Sequence, residues 1–329
     1  MTLEQLRIFL AVAEREHMTA GARALNITQS AASAAIAALE DRHAVRLFHR
    51  VGRGITLTEA GRLFLAEARA VLARATAAET ALDDLGALRR GILRVVASQT
   101  IAAYWLPPLL AGFHRRYPAL SIALTIRNTE QAATHVRDGE AEIGIIEGEI
   151  DDPALARWPI GEDRLLLVQA GPFDGAPIDA QWLRRARWIM REEGSGTRST
   201  LDQHLHRLGI APDTLDVALV LPSNESVRTA VEAGAGIAAL SSLVVAPGLR
   251  AGTLHAAPCA FGPRTFFGLR HKERYRSKAA DALLAFITSA EHPGRASDVG
   301  TKKSRPRTDG SFLPDEAASG PGAGPGPAG

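Results

Sequence analysis

The chain has 329 residues, 46% apolar and 22% charged, a length and composition that fit two or three globular domains rather than one small core. No run approaches the ~18 consecutive apolar residues of a membrane span. The N-terminus MTLEQLRIFLAVAEREHMTA lacks the basic start and cleavage site of a secretory signal, and Cys259 has no partner cysteine, so a cytoplasmic location is expected. The net charge of +2 is too small to argue for nucleic acid, so the placement of charges matters more than their sum.

Residues 2–16 carry Leu3, Leu6, Phe9, Leu10 and Ala13 at three- and four-residue spacing, which predicts an amphipathic helix. A second, short helix runs from Thr19, read as its N-cap, to Leu25; Asn26 then tolerates the left-handed conformation of a tight turn. Thr28 is read as the N-cap of a third helix reaching about Asp41, with Ile36 and Leu39 facing inward. Leu47–Thr58 (LFHRVGRGITLT) sets two glycines between short β-prone pieces, the pattern of a hairpin. Residues 1–58 therefore read as a winged helix-turn-helix.

Residues 59–89 are alanine-rich with few breakers and predict one helix of ~45 Å. Its apolar stripe, Leu65, Ala68, Leu72, Ala75 and Leu82, predicts burial against another helix. A helix of this length between domains is expected to join two subunits; packing on its own domain is the alternative. From residue 90, the runs ILRVVAS, LSIALTIRN, AEIGIIEG, RLLLVQA, RWIMRE and LDVALVLP alternate with helical stretches, the first around Trp105–Tyr117. This alternation predicts α/β architecture with mostly parallel sheets. Residues 90–291 suffice for two lobes, one of about 90–163 with 266–291 and one of about 164–265. The stretch Phe266–Ala290 is read as a strand and helix returning to the first lobe. Residues 292–329, ending GPGAGPGPAG, cannot bury enough apolar surface to offset their ordering entropy and are expected to be disordered.

In a helix-turn-helix the first residues of the second helix enter the major groove. Here these are Thr28, Gln29, Ser30 and Ser33; glutamine can bond adenine twice, and serine hydroxyls serve base edges or phosphates. Arg42, Arg46, Arg50 and Arg53 follow, with His43 and His49 among them, a phosphate-contacting surface in this context and a solvated face otherwise. Arg53, flanked by Gly52 and Gly54 at the hairpin tip, is placed to reach a minor groove.

Ligand clefts in open α/β folds lie at the carboxyl ends of strands. Several predicted strands end in polar residues: Ser98 and Thr100, Asn128 and Thr129, then the turn Ser195, Gly196, Thr197 and Arg198, then Asn224. In the turn, glycines let the backbone approach a ligand and Thr197 and Arg198 add donors, which suits an anion or carboxylate. Ser, Thr and Asn also serve as plain helix N-caps, but four such turns favour a shared cleft.

The order LRIFLAVAE, TAGARALNITQSAASAAIAALE and RLFHRVGRGITLTEAG resembles the LysR-type transcriptional regulators, over about residues 1–290. That resemblance implies a mainly α winged helix-turn-helix, a dimerising linker helix and a two-lobed α/β effector domain of the type 2 periplasmic-binding-protein kind. It also implies promoter DNA, RNA polymerase and a homodimeric or homotetrameric partner, and an inducer touched by Ser98, Thr100, Thr129 and the 195–198 turn. The NTEQ turn paired with REEGSGTR is similar to regulators of sulfur assimilation and carbon fixation, which favours a small anion such as sulfite or a phosphorylated metabolite. The chain departs from the family at His43-Ala44, usually Leu-Gly, and at Ser30 and Ala34, often proline and arginine. Alanine in place of that glycine costs roughly 1–2 kcal/mol if the left-handed cap is kept.

A solute-binding protein would share the two lobes but needs an export signal. A serine hydrolase would need more than GSG around Ser195, which is not a nucleophile elbow. Glu147, Glu192 and Glu193 are read as exposed turn acids, the ten histidines show no metal-ligand spacing, and no cofactor motif is present, so a non-enzyme is expected.

Overall fold

The computed structural model describes residues 1–52, 54–85, 91–258 and 261–291. Arg53, Cys259, the end of the linker at 86–89 and the expectation of disorder for 292–329 lie outside the described residues.

The N-terminal unit is built from α1 (Leu3–Ala13), α2 (Met18–Ala24), α3 (Gln29–His43) and a hairpin of β1 (Phe48–Val51) and β2 (Gly54–Leu57). Local chemistry sets its boundaries. Thr2 and Gln5 form a capping box on α1, and Thr28 caps α3 by accepting the Ala31 N–H at 3.2 Å. The α2 cap differs from expectation: the ring Nδ1 of His17 accepts the Ala20 N–H at 3.3 Å, and Thr19 lies inside the helix. His17 is the last extended residue before the helix, so its side chain alone can reach back to the first turn. Asn26 takes the left-handed conformation at φ 55°, and so does Ala44 at φ 52°, as the C-cap of α3. Glu40 is buried and ties the wing to α3, accepting from the Leu47 N–H at 2.7 Å and from Arg46 Nη1 at 2.7 Å.

The linker helix α4 spans Glu59–Leu85. Three of the five residues of its predicted stripe are used within the chain: Ala68 is buried in the head core with Leu6, Phe9 and Leu39, and Leu65 and Leu72 pack beside it. Among the described residues of the helix, Leu63 and Leu82 are 69% and 70% exposed and Val71 is exposed too, so Leu82 is a stripe residue that the chain itself leaves uncovered.

Beyond it come β3 (Gly91–Ser98), a π-helical turn at Ile101–Trp105 running into α5 (Leu106–Arg116), β4 (Leu120–Arg127), α6 (Thr129–Asp138), β5 (Ile143–Glu147) and β6 (Leu155–Gln169). The second lobe adds α7 (Ala180–Arg185), β7 (Arg187–Arg191), α8 (Gly196–Arg207), β8 (Asp216–Leu221), α9 (Asn224–Glu232), β9 (Ala238–Ser241), α10 (Ser242–Ala251) and β10 (His255–Ala256). The chain returns through β11 (Pro263–His271) and α11 (Lys278–Glu291).

The sheets are more antiparallel than the alternation predicts. β3 is parallel to β4 and β5, and β7 to β8, but β11 runs antiparallel to both β5 and β6, and β6 runs antiparallel to β9 and β10. The cause is the route of the chain. β6 leaves the first lobe and β11 comes back along it, paired from Leu155–His271 to Arg164–Pro263, so the two must oppose each other. Period-two alternation then distributes the core. Leu93, Val95, Ile143 and Ile145 face Phe113, Phe266 and Leu283 on one side of the sheet; Val96 and Ile146 face Ala132, Val136 and Leu269 on the other. Trp188, Met190, Leu201 and Leu205 fill the second lobe. Among the described residues no helix is long and apolar enough to cross a membrane.

Candidate DNA-reading surface and effector cleft

Thr28, Gln29 and Ser30 are exposed at the start of α3, and Ser33 one turn on is half-buried. Thr28 divides its hydroxyl between the cap and Ser30 Oγ, 3.0 Å away. Arg42, Arg46, Arg50, His43 and His49 are exposed. Arg46 is committed to Glu40, whose hydrogen bond and charge raise its pKa above the usual guanidinium value. Arg50 lies in β1, paired with Ile55 across the hairpin, and the position of Arg53 is outside the described residues.

The second constellation is buried between the lobes. Ser98, Thr100, Thr129, Ser195, Thr197 and Asn224 are all nearly inaccessible, and Gly196 is buried with them. They come from the carboxyl end of β3, the start of α6, the start of α8 and the start of α9. Three of the predicted donors have protein acceptors. Ser98 donates to Glu147 Oε2, Thr129 donates to the Glu147 carbonyl at 2.9 Å, and Asn224 Nδ2 donates to Thr100 Oγ1 at 3.0 Å. Asn128 caps α6 at the rim and reaches the carbonyl of Glu193 at 3.4 Å. Arg198 does not join the cluster: it grips Asp202 on its own helix at 2.9 Å.

The residues that the sequence reading missed are charged. Glu147 is 2% exposed, a correction to its reading as an exposed turn acid; it ends an apolar strand and points under α8. A β-carbon on Gly196 would come within 2.2 Å of the Glu147 carbonyl oxygen and 2.6 Å of Thr129 Oγ1, so this approach requires glycine. Arg264, on β11, is also buried; it bonds Asp163 twice, at 2.7 and 2.6 Å, donates to Thr197 Oγ1 at 3.1 Å, and has Nη1 3.7 Å from Glu147 Oε1. Burial lowers its pKa, but Glu147 and then Asp163 outweigh that and leave it raised. Arg191 is held by Glu192 and by Asn224 Oδ1, so Glu192 too is a paired, half-buried acid, and only Glu193 is exposed. No sequence signal joins Glu147 to Arg264, because the pairing depends on the return of β11. The position of Glu147 at the same strand ends as Ser98 and Asn128 was the one available clue.

The lobes touch directly across this cleft: the Glu130 N–H donates to the Gly194 carbonyl at 3.1 Å, and Gln99 Nε2 to that of Pro222 at 2.8 Å. At its mouth lies a cavity of about 690 Å³ lined by Gln99, Arg127, Asn128, Glu130, His135 and Glu192, among others.

Residues 3–62 match the bacterial regulatory helix-turn-helix proteins of the lysR family, and residues 86–291 match the LysR substrate binding domain. This chain belongs to the LysR-type transcriptional regulators. Two relatives of this LysR-type regulator are the uncharacterized HTH-type transcriptional regulator YeiE of Escherichia coli (strain K12), 34% identical over 89% of this chain and 99% of that one, and a probable RuBisCO transcriptional regulator of Nostoc sp., 34% identical over 86% of each. In fold it is similar to full-length CbnR complexed with its target DNA, with TM-score 0.61, 21% identity and 87% and 99% of the two chains covered. It is also similar to the Synechocystis PCC6803 CcmR regulatory domain in complex with 2-PG, with TM-score 0.56, 23% identity and 62% and 98% covered. The LysR-type regulator thus combines a DNA-binding head with an effector-binding domain of two α/β lobes.

Proposed function

We propose that this regulator is a cytoplasmic homo-oligomer that binds promoter DNA through α3 and the β1–β2 wing, and that a small anion bound between its lobes sets its activity. The observation that carries the effector half is the burial of Ser98, Thr100, Thr129, Ser195, Thr197 and Asn224 from four segments at one interlobe point. An anion of the sulfite or phosphorylated-metabolite kind suits those hydroxyls and amides, and the 2-PG of the CcmR complex supports the class. We take the cleft to bind without chemistry, since the hydroxyls of Ser98, Thr129, Thr100 and Thr197 are bonded to carboxylate, carbonyl, amide and guanidinium groups respectively. RNA polymerase is the expected protein partner at the promoter. A ligand that favours the closed arrangement shifts the population toward it, and the heads follow.

Thermal melting of the full-length protein with inorganic phosphate, sulfite and 2-PG tests the effector half. A rise in melting temperature is expected with at least one of them, and no rise with any refutes the anion. The DNA half is tested by gel shift on the region upstream of the protein's own gene. Gln29→Ala with Arg53→Ala is expected to weaken binding by about tenfold or more, from lost base and phosphate contacts; unchanged binding would remove the contact assignment.

A further inference from the structure

Glu147 is surrounded by the partners with which proteins hold small anions. Its carboxylate accepts from the Ser98 hydroxyl, stands 3.7 Å from the Arg264 guanidinium and lies against the first residue of α8. Arg264 cannot neutralise it fully, because two bonds of 2.7 and 2.6 Å already commit that cation to Asp163. Asp163, Glu147 and Arg264 together leave one unbalanced negative charge among side chains that are all nearly inaccessible. An uncompensated buried charge is costly. The hydroxyl of Ser98 and the positive end of the α8 dipole offset part of that cost.

We propose that Glu147 is a resident competitor in the effector cleft: its carboxylate, bonded to Ser98 beside Arg264, holds the anion position, and an effector anion binds by displacing it from both. The proposal rests on the anionic-effector reading of the same cleft. It assigns Glu147 two roles in selectivity. A ligand with a single carboxylate replaces like with like and gains little, whereas a phosphate or sulfite group brings more oxygens and more charge to the same donors. The carboxylate also sets a threshold, since any effector must outcompete a group that is always present.

Isothermal titration of full-length wild type, Glu147→Gln and Glu147→Asp with inorganic phosphate and with sulfite tests this. Glu147→Gln removes the charge and keeps an oxygen for Ser98, and is expected to bind the better anion about tenfold more tightly or beyond, as loss of a nearby like charge implies. Glu147→Asp keeps the charge and is expected to stay within about threefold of wild type. Wild-type binding that Glu147→Gln leaves equal or weaker overturns the competitor and leaves the anion reading standing. Binding to none of the three proteins removes the anion reading and the competitor together. Should Glu147→Gln fail to fold, a structure of the wild type with phosphate or sulfite bound decides. The Glu147 carboxylate is expected to have left Ser98; if it still accepts that hydroxyl while the anion sits elsewhere, the proposal is overturned.

Discussion

Ala44 shows what a single departure from the family pattern costs. It holds φ 52° as the C-cap of α3, a conformation natural to glycine and strained for a residue with a β-carbon. The strain is kept because the chain must turn at once to deliver Arg46 and Leu47 to Glu40. Ala44→Gly relieves it, at some loss from the freer unfolded chain, for a net stabilisation of about 0.5–1 kcal/mol. Hydrogen exchange at the Leu47 amide in the full-length protein is expected to slow by about two- to fivefold, and faster exchange would show that the cap is not strained.

Among elements, the linker helix divides its apolar surface between two tasks. Leu65, Ala68 and Leu72 serve the head, while Leu63, Val71 and Leu82 stay exposed within an arc of ~100°. A second copy of the chain is the occupant that the proposed homo-oligomer supplies. Leu63→Glu with Val71→Glu is therefore expected to lower the molar mass measured by light scattering, and an unchanged mass would place the subunit contact elsewhere. Legibility at this scale followed sequence distance. Helix caps, the Asn26 turn and the wing hairpin depend on residues within about ten positions of one another, so α1, α3 and the hairpin were visible in advance. His17 was missed because imidazole is an uncommon cap beside an available threonine. The stripe of α4 was visible but its partner was not, since apolar spacing marks a buried face without naming what buries it. The direction of β6 against β11 and the Glu147–Arg264 approach depend on segments about a hundred residues apart. Apolar runs carry no sign of which way a strand will lie in its sheet.

Across the whole molecule, α6 reaches from the cleft to the head. Its first turn receives the lobe contact from Glu130 to Gly194, and its last turn lies beside Arg69 of α4. Arg69 in turn reaches Glu14 after α1 at 3.4 Å, Asp138 at 3.4 Å and Glu140 at 3.6 Å. One guanidinium thus joins head, linker and effector domain. Glu140 is held below the usual carboxylate range, first by its hydrogen bond with His135, against burial, and then by the charges of His135 and Arg69. Because folding lowers this pKa, the stability it contributes is complete above its ordinary value of 4.5 and is lost as pH falls through the folded value. Glu140→Gln is expected to flatten the fall of melting temperature below about pH 4.5. An acid limb as steep as that of the wild type would remove Glu140 from this account.

The antiparallel pair of β6 and β11 has a consequence for inheritance. Arg164 and Pro263 are cross-strand neighbours, so everything from 165 to 262 enters and leaves through a doorway about 5 Å wide. That stretch can be exchanged as one continuous gene segment without cutting the first lobe's sheet. Such a graft carries Ser195, Gly196, Thr197 and Asn224, while Ser98, Thr129, Glu147, Asp163 and Arg264 remain with the recipient. If the proposed effector site is right, each exchange brings together two half-sites that have not met before, and new chemical preferences can arise by recombination rather than by the slow revision of a finished pocket.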